Sequence, residues 1–118
     1  MDKFLNWYLQ PWKKYAEFTG RAGRMEYWLF TLVNIVVMNV FLHVHLGIVS
    51  GIFAIASIIP GIAVAIRRLH DTNRSGWWIL LAIIPIIGAI ILIVFTLLPG
   101  EEADNQYGSP PQPPEGAA

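Results

Sequence analysis

Three apolar runs, Tyr27 to Leu46, Ile48 to Ile66 and Trp77 to Leu98, take up about half of the 118-residue chain, and none contains a Lys, Arg, Asp or Glu. Each is close to the roughly 20 apolar residues that carry an α-helix across a hydrocarbon core. A soluble protein can bury a helix that is apolar all round, but three such helices need a thick polar shell. With 55% hydrophobic and 14% charged residues, this chain has no material for one. The expected fold class is therefore all-α: an integral membrane protein with three transmembrane helices, the spans at about 27–46, 48–66 and 77–98 of a membrane domain covering 27–100. The first run begins only at residue 27 and is long enough to stay in the bilayer, so no cleavable signal peptide is expected.

Charge is segregated along the chain. All eight Lys and Arg lie at or before Arg74; five precede the first run and three lie between the second and third. Under the positive-inside rule the N-terminus and the second loop face the cytoplasm, and three crossings put the C-terminus in the periplasm. The turn between the first two runs has only His43, His45 and Gly47 to mark it, so the connection must be tight. A re-entrant second segment is the alternative, and it moves the C-terminus to the cytoplasm.

The two ends differ in kind. In residues 1–26, Phe4, Tyr8, Trp12 and Tyr15 are spaced three and four apart with Lys3, Lys13 and Lys14 among polar neighbours, the pattern of an amphipathic helix lying flat in the headgroup layer. A helix packed on a soluble partner is the rival reading. Pro11 predicts a kink or a break into two short helices. Residues 101–118 are acidic and rich in Pro and Gly, with too little apolar surface to order themselves, and are expected to be a disordered tail.

Two basic stretches flank the spans. In RRLHDTNRSGWW, residues 67–78, Ser75 is placed to cap a third helix, and Trp77 and Trp78 mark the headgroup depth, as Trp28 does at the start of the first span. Asp71 lies four residues after Arg67, so an ion pair within the helix is the cheapest account of it. In GRAGRMEYW, Gly23 and Glu26 have the spacing of a cap and an N3 carboxylate. If the two stretches converge, Glu26 pairs with Arg67 or Arg68, and Asp71 with Arg21 or Arg24. Arg21, Arg24, Glu26, Arg67, Arg68, His70, Asp71 and Arg74 then form a cytoplasmic cluster suited to an anionic lipid headgroup or a protein partner.

Other chemistry has little footing. The absence of Cys removes thiolate ligands and nucleophiles. His43 and His45 are two apart, which on a helix aims them at different faces, so no metal is expected, nor any cofactor or nucleic acid. A base at His70 with arginines around a phosphate lacks a second acidic cluster, and no catalytic residue is assigned. Asn34 and Asn39 are suited to hydrogen bonds with a neighbouring helix. Gly47, Gly51, Ala54, Ser57, Gly61 and Ala65 give the second helix a line of small residues that permits close contact within the fold or between copies. Pro60 and Pro85 are expected to bend their spans.

FTGRAGRMEYW, RRLHDTNRSGWW, IPIIG and the closing PG with NQYG together resemble the domain-of-unknown-function 805 family over nearly the whole chain. The resemblance implies a bacterial inner-membrane location and supplies no activity. The function expected is a non-enzymatic membrane component that binds lipid headgroups or a protein. The alternatives are an oligomeric pore or transporter component, self-associating through the second transmembrane helix, and an interface enzyme acting on phosphorylated lipids.

Overall fold

The computed structural model describes residues 2–45 and 47–111. Leu46 of the first apolar run and residues 112–118 of the expected tail lie outside the described residues. The architecture is all-helical: α1 (Asp2–Lys13), α2 (Arg24–His43), α3 (Gly47–Asp71), a 3-10 helix (Gly76–Ile83) and α4 (Ile87–Leu97). Two of these helices, α2 and α3, are long and apolar enough to cross a bilayer. At 1.5 Å per residue they measure about 30 and 37 Å, against a hydrocarbon core of about 30 Å. They form an antiparallel hairpin, α2 ending at His43 and α3 starting at Gly47, with Gly61 of α3 facing the Phe30 ring.

Packing is inverted relative to a soluble domain. The small apolar core consists of Ala22, Phe30 and Val64, with Tyr8, Trp12 and Tyr27 against it. Large apolar side chains elsewhere point outward, among them Ile48 (83% exposed), Ile55 (72%) and Ile86 (74%), whereas Arg67 and Arg68 are both at 0%. An exposed apolar surface of this extent is unfavourable in water and neutral in hydrocarbon.

Three features of the fold bear on the expectations, two of them as corrections. The third run is not one helix over 77–98. It runs as a 3-10 helix for eight residues, about 16 Å at 2.0 Å per residue, and returns as α4 for eleven residues, about 16 Å at 1.5 Å. The reversal is built at Pro85 and Ile86: Pro85 has no amide proton to continue a helix, Ile86 holds a positive φ of 68°, and Gly88 N–H donates to the Ile84 carbonyl. Gly88 presses so closely on the Leu81 carbonyl that a Cβ has no room. The two arms are held at their open end by Trp78 against Phe95, ring centroids 5.5 Å apart, and by the Arg74 guanidinium 4.2 Å from the Phe95 centroid.

The second point follows from the first. Because the third run doubles back, the chain after Leu98 emerges beside Arg21 and Asp71, at the end where α2 starts and α3 finishes, so residues 101–111 meet the segment before α2 at one end of the bundle.

The third concerns α1. Pro11 neither kinks it into two pieces nor ends it early, because Pro11 lies in the last turn of a single helix that stops two residues later. Tyr8 stacks on Phe30 at 6.0 Å and donates its hydroxyl to Asn34 Oδ1 at 2.7 Å. Trp12 lies between Phe30 and Phe53. Half of the aromatic stripe is thus packed on α2 and α3, while Phe4 and Tyr15 remain exposed.

Candidate functional site

Two helix C-termini and one chain entrance meet at the end of the bundle. The last carbonyls of a helix have no partner within it, and cations near them are favoured by the helix dipole. Arg68, in the last turn of α3, meets this demand for α4. Its Nε donates to the Thr96 carbonyl at 3.0 Å, and its Nη2 donates to the Leu98 carbonyl. Trp28 Nε1 donates to the same Thr96 carbonyl at 3.2 Å. Arg21 does the equivalent for α3, donating from Nη2 to the Asp71 carbonyl at 3.3 Å.

The carboxylates sit between these guanidiniums. Asp71 accepts from Arg21 Nε on Oδ1 at 2.9 Å and from Arg68 Nη1 on Oδ2 at 2.6 Å; Glu26 Oε2 accepts from Arg67 Nη1 at 2.7 Å. The side chains of all five residues are between 0 and 6% exposed. Arg68 Nη1 also donates to the Ala22 carbonyl and Arg67 Nε to the Glu17 carbonyl, while Ala22 N–H returns a bond to the Arg67 carbonyl at 2.9 Å. Asp71 pairs one turn back with Arg68, not four residues back with Arg67, which is drawn across to Glu26 on α2. Among the described residues, Arg67 Nη2 is the buried side-chain nitrogen left without a partner.

The tail closes the cluster. Its described residues, 101–111, form no helix or strand element, in keeping with their composition, and pack onto the cluster. Glu101 N–H donates to the Asp71 carbonyl at 2.9 Å, and Arg21 Nη1 donates to the carbonyls of Ala103 at 2.9 Å and Gly108 at 3.2 Å; Arg21 Nη2 also reaches the Glu101 carbonyl. Asn105 Nδ2 donates to the His70 carbonyl at 3.0 Å, and the Tyr107 ring stacks flat on the His70 imidazole at 3.9 Å. Gly100 passes over Asp71 so tightly that a Cβ would overlap the carboxylate.

His70 is oriented by this packing. Its Nδ1 is 2.9 Å from the Gly20 carbonyl, which can only accept, so the proton is on Nδ1 and Nε2 carries the lone pair. Among the described residues no carboxylate is bonded to the ring, and the buried arginines Arg21, Arg67 and Arg68 are committed to carboxylates and carbonyls.

The predicted cluster therefore divides. Arg21, Glu26, Arg67, Arg68, His70 and Asp71 come together and are buried. Arg24 stays exposed, with one long bond from Nη1 to the Leu97 carbonyl at 3.4 Å, and Arg74 turns to Phe95 and the Thr72 carbonyl. Trp77 is 78% exposed and Trp78 44%, whereas Trp28 is tied to α4. Sequence reasoning singled out Gly100, Asn105 and Tyr107 only as part of the PG and NQYG that carry the resemblance, and gave them no place in the cluster. The signal available was the turn-forming Asn and Gly around a lone aromatic in an otherwise polar tail.

Ser75 accepts from Trp77 N–H at 3.2 Å and caps the 3-10 helix. Asn34 bonds to Tyr8, while Asn39 donates back to the Ile35 carbonyl of its own helix. Gly61 serves the contact with Phe30; Gly47, Gly51 and Ala54 face outward. His43 and His45 are exposed, and the described residues hold no group of three or more His, Asp or Glu placed for a metal.

The family described as "Protein of unknown function (DUF805)" matches residues 15–109, a range that ends just after the docked NQYG turn. The chain is 43% identical over 114 residues to the inner membrane protein YhaI of Escherichia coli K12, covering 92% of this chain and 97% of that protein. It is 44% identical over 118 residues to the inner membrane protein YhaH of the same organism, covering 92% and 98%. No solved structure matches the chain.

Proposed function

The chain belongs to the DUF805 family, whose named relatives here are bacterial inner-membrane proteins, and from that premise we propose that it is a non-enzymatic multi-pass membrane component that holds anionic lipid headgroups at its cytoplasmic face. In this reading α2 and α3 cross the bilayer, the 3-10 helix and α4 form a re-entrant hairpin reaching about halfway, and α1 lies at the boundary of headgroups and acyl chains. Both the N-terminal segment and the tail are cytoplasmic. One observation carries the reading: ionic side chains are buried at one end, while the rest of the bundle turns its apolar side chains outward. The positive-inside rule supplies the orientation, since the opposite end, the connection from His43 to Gly47, has no Lys or Arg.

The headgroup role falls to the cations outside the buried network, Lys13, Lys14 and Arg24, because the guanidiniums of Arg21, Arg67 and Arg68 are buried against carboxylates and carbonyls, out of reach of a headgroup. The test is native mass spectrometry of the purified chain released from membranes containing phosphatidylglycerol and phosphatidylethanolamine. Retention of phosphatidylglycerol above its share of the membrane supports the reading. Retention in simple proportion to composition sinks it.

A second reading, an oligomeric component, has one observation behind it. Irregular backbone at membrane depth is tolerated where protein covers it or where it lines a wet cavity, and Ile83 and Ile86 at the hairpin tip are about three-quarters exposed in the single chain. Mass photometry in nanodiscs separates the two, since an oligomer gives multiples of the chain's 13.2 kDa.

A further inference from the structure

We propose that the groove between α1 and the first two turns of α2 seats a single anionic phospholipid, its phosphate on Arg24 and one acyl chain along Met25, Trp28, Leu29 and Leu32. The proposal deepens the headgroup reading above and rests on it. The groove has a volume of about 590 Å³ and is lined also by Trp7 of α1 and, beside Gly23, by Pro111 of the tail. Concave sites of this size, mostly apolar with a few polar groups, are typical ligand seats.

The order of residues along the groove argues for an amphiphile. Positions 25, 28, 29 and 32 have the spacing of a single helix face, so they form a continuous apolar stripe that runs about 12 Å down α2 from Arg24. Arg24 is the one charged residue of the lining and stands at the end where α2 begins. A soluble anion would use the guanidinium and leave the stripe empty. A neutral lipid would use the stripe and leave the guanidinium unpaired. An anionic phospholipid matches both, in the orientation the bilayer imposes.

Arg24 also differs from its neighbours in what it does. Arg21, Arg67 and Arg68 are buried and each faces a carboxylate within 2.9 Å. Arg24 is exposed, makes its one long bond to the Leu97 carbonyl, and joins no ion pair among the described residues. Its planar fork can take two phosphate oxygens at once, which a lysine cannot do. Trp28 is a rigid floor because its Nε1–H is fixed to Thr96, and Met25 adapts to the chain laid against it.

The experiment uses the full chain in nanodiscs of phosphatidylcholine with one-tenth spin-labelled phosphatidylglycerol, read as the fraction of motionally restricted label and its apparent affinity. Arg24→Gln and Leu32→Trp, the second leaving charge untouched and filling the groove, are each expected to weaken binding about tenfold, and Arg24→Lys to recover only part. Lys13→Gln with Lys14→Gln is expected to change it less than threefold. Thermal unfolding of each variant within the wild-type range shows that folding is intact, as the exposed positions of Arg24 and Leu32 lead one to expect. Full binding by Leu32→Trp overturns the groove, as does displacement of the label by inorganic phosphate. If the lysine pair alone abolishes restriction, headgroup binding stands and the groove falls. If the wild-type chain restricts no phosphatidylglycerol beyond the phosphatidylcholine level, the headgroup reading itself falls.

Discussion

Asp71 Oδ2 lies 2.6 Å from Arg68 Nη1, one turn back on the same helix, while its Oδ1 takes Arg21 from fifty residues away. One carboxylate thus joins the chain before α2, the end of α3 and, through Arg21, the tail. Buried ion pairs add little net stability over an apolar core, but removing one partner leaves an uncompensated charge and is strongly destabilising. Asp71→Asn strands two guanidiniums and should cost about 3 to 5 kcal/mol. Arg21→Met should cost less, because Asp71 keeps Arg68. Thermal unfolding in a mild detergent checks the ranking, and an Arg21→Met variant less stable than Asp71→Asn would refute it.

The return of the third run makes a prediction about side. A fluorescent protein that matures only in the cytoplasm should light up when fused after Ala118, and alkaline phosphatase at the same point should be silent. A phosphatase inserted after His45 should be active. An active phosphatase at the C-terminus would mean that the third run crosses completely.

Twenty-two apolar residues fit either one full crossing or two half-crossings, and mean hydropathy does not distinguish them. The signs of reversal, Pro85 and a glycine three residues on, were visible, but their meaning depended on Gly88 meeting the Leu81 carbonyl, a contact between backbones. The same physics explains the tail. Its composition correctly denies it an apolar core of its own, yet it docks through main-chain carbonyls, which every residue carries and no composition reveals. By contrast, the pairing of Glu26 with Arg67 and of Asp71 with Arg21 was legible, because formal charges next to a low-dielectric layer have few places to go.

Two glycines give a paired test of packing. Gly88→Ala places a methyl group against backbone that cannot yield, so the hairpin should open, at a cost of about 1 to 3 kcal/mol. Gly51→Ala, in the second turn of α3 with nothing within 4 Å, should be neutral or stabilise by up to about 1 kcal/mol. Unfolding midpoints in one detergent compare them directly. Equal effects at the two positions would mean that the hairpin is not closed at Gly88.

The last prediction isolates the tail from the arginine cluster beneath it. Tyr107 covers His70 with near-parallel rings and contributes no charge, so Tyr107→Ala removes packing worth about 0.5 to 1.5 kcal/mol beyond area burial and leaves Asp71, Arg21 and Arg68 intact. Amide exchange of residues 101–111 should then rise by roughly three- to tenfold, because local opening follows the lost free energy, while exchange in α2 and α3 stays unchanged. Gly100→Ala should raise exchange over the same segment and also lower the unfolding midpoint, since the added methyl group overlaps Asp71 itself. If Tyr107→Ala leaves residues 101–111 as protected as in the wild type, the stacking on His70 does not hold the tail, and the Arg21 bonds to its carbonyls carry the docking alone.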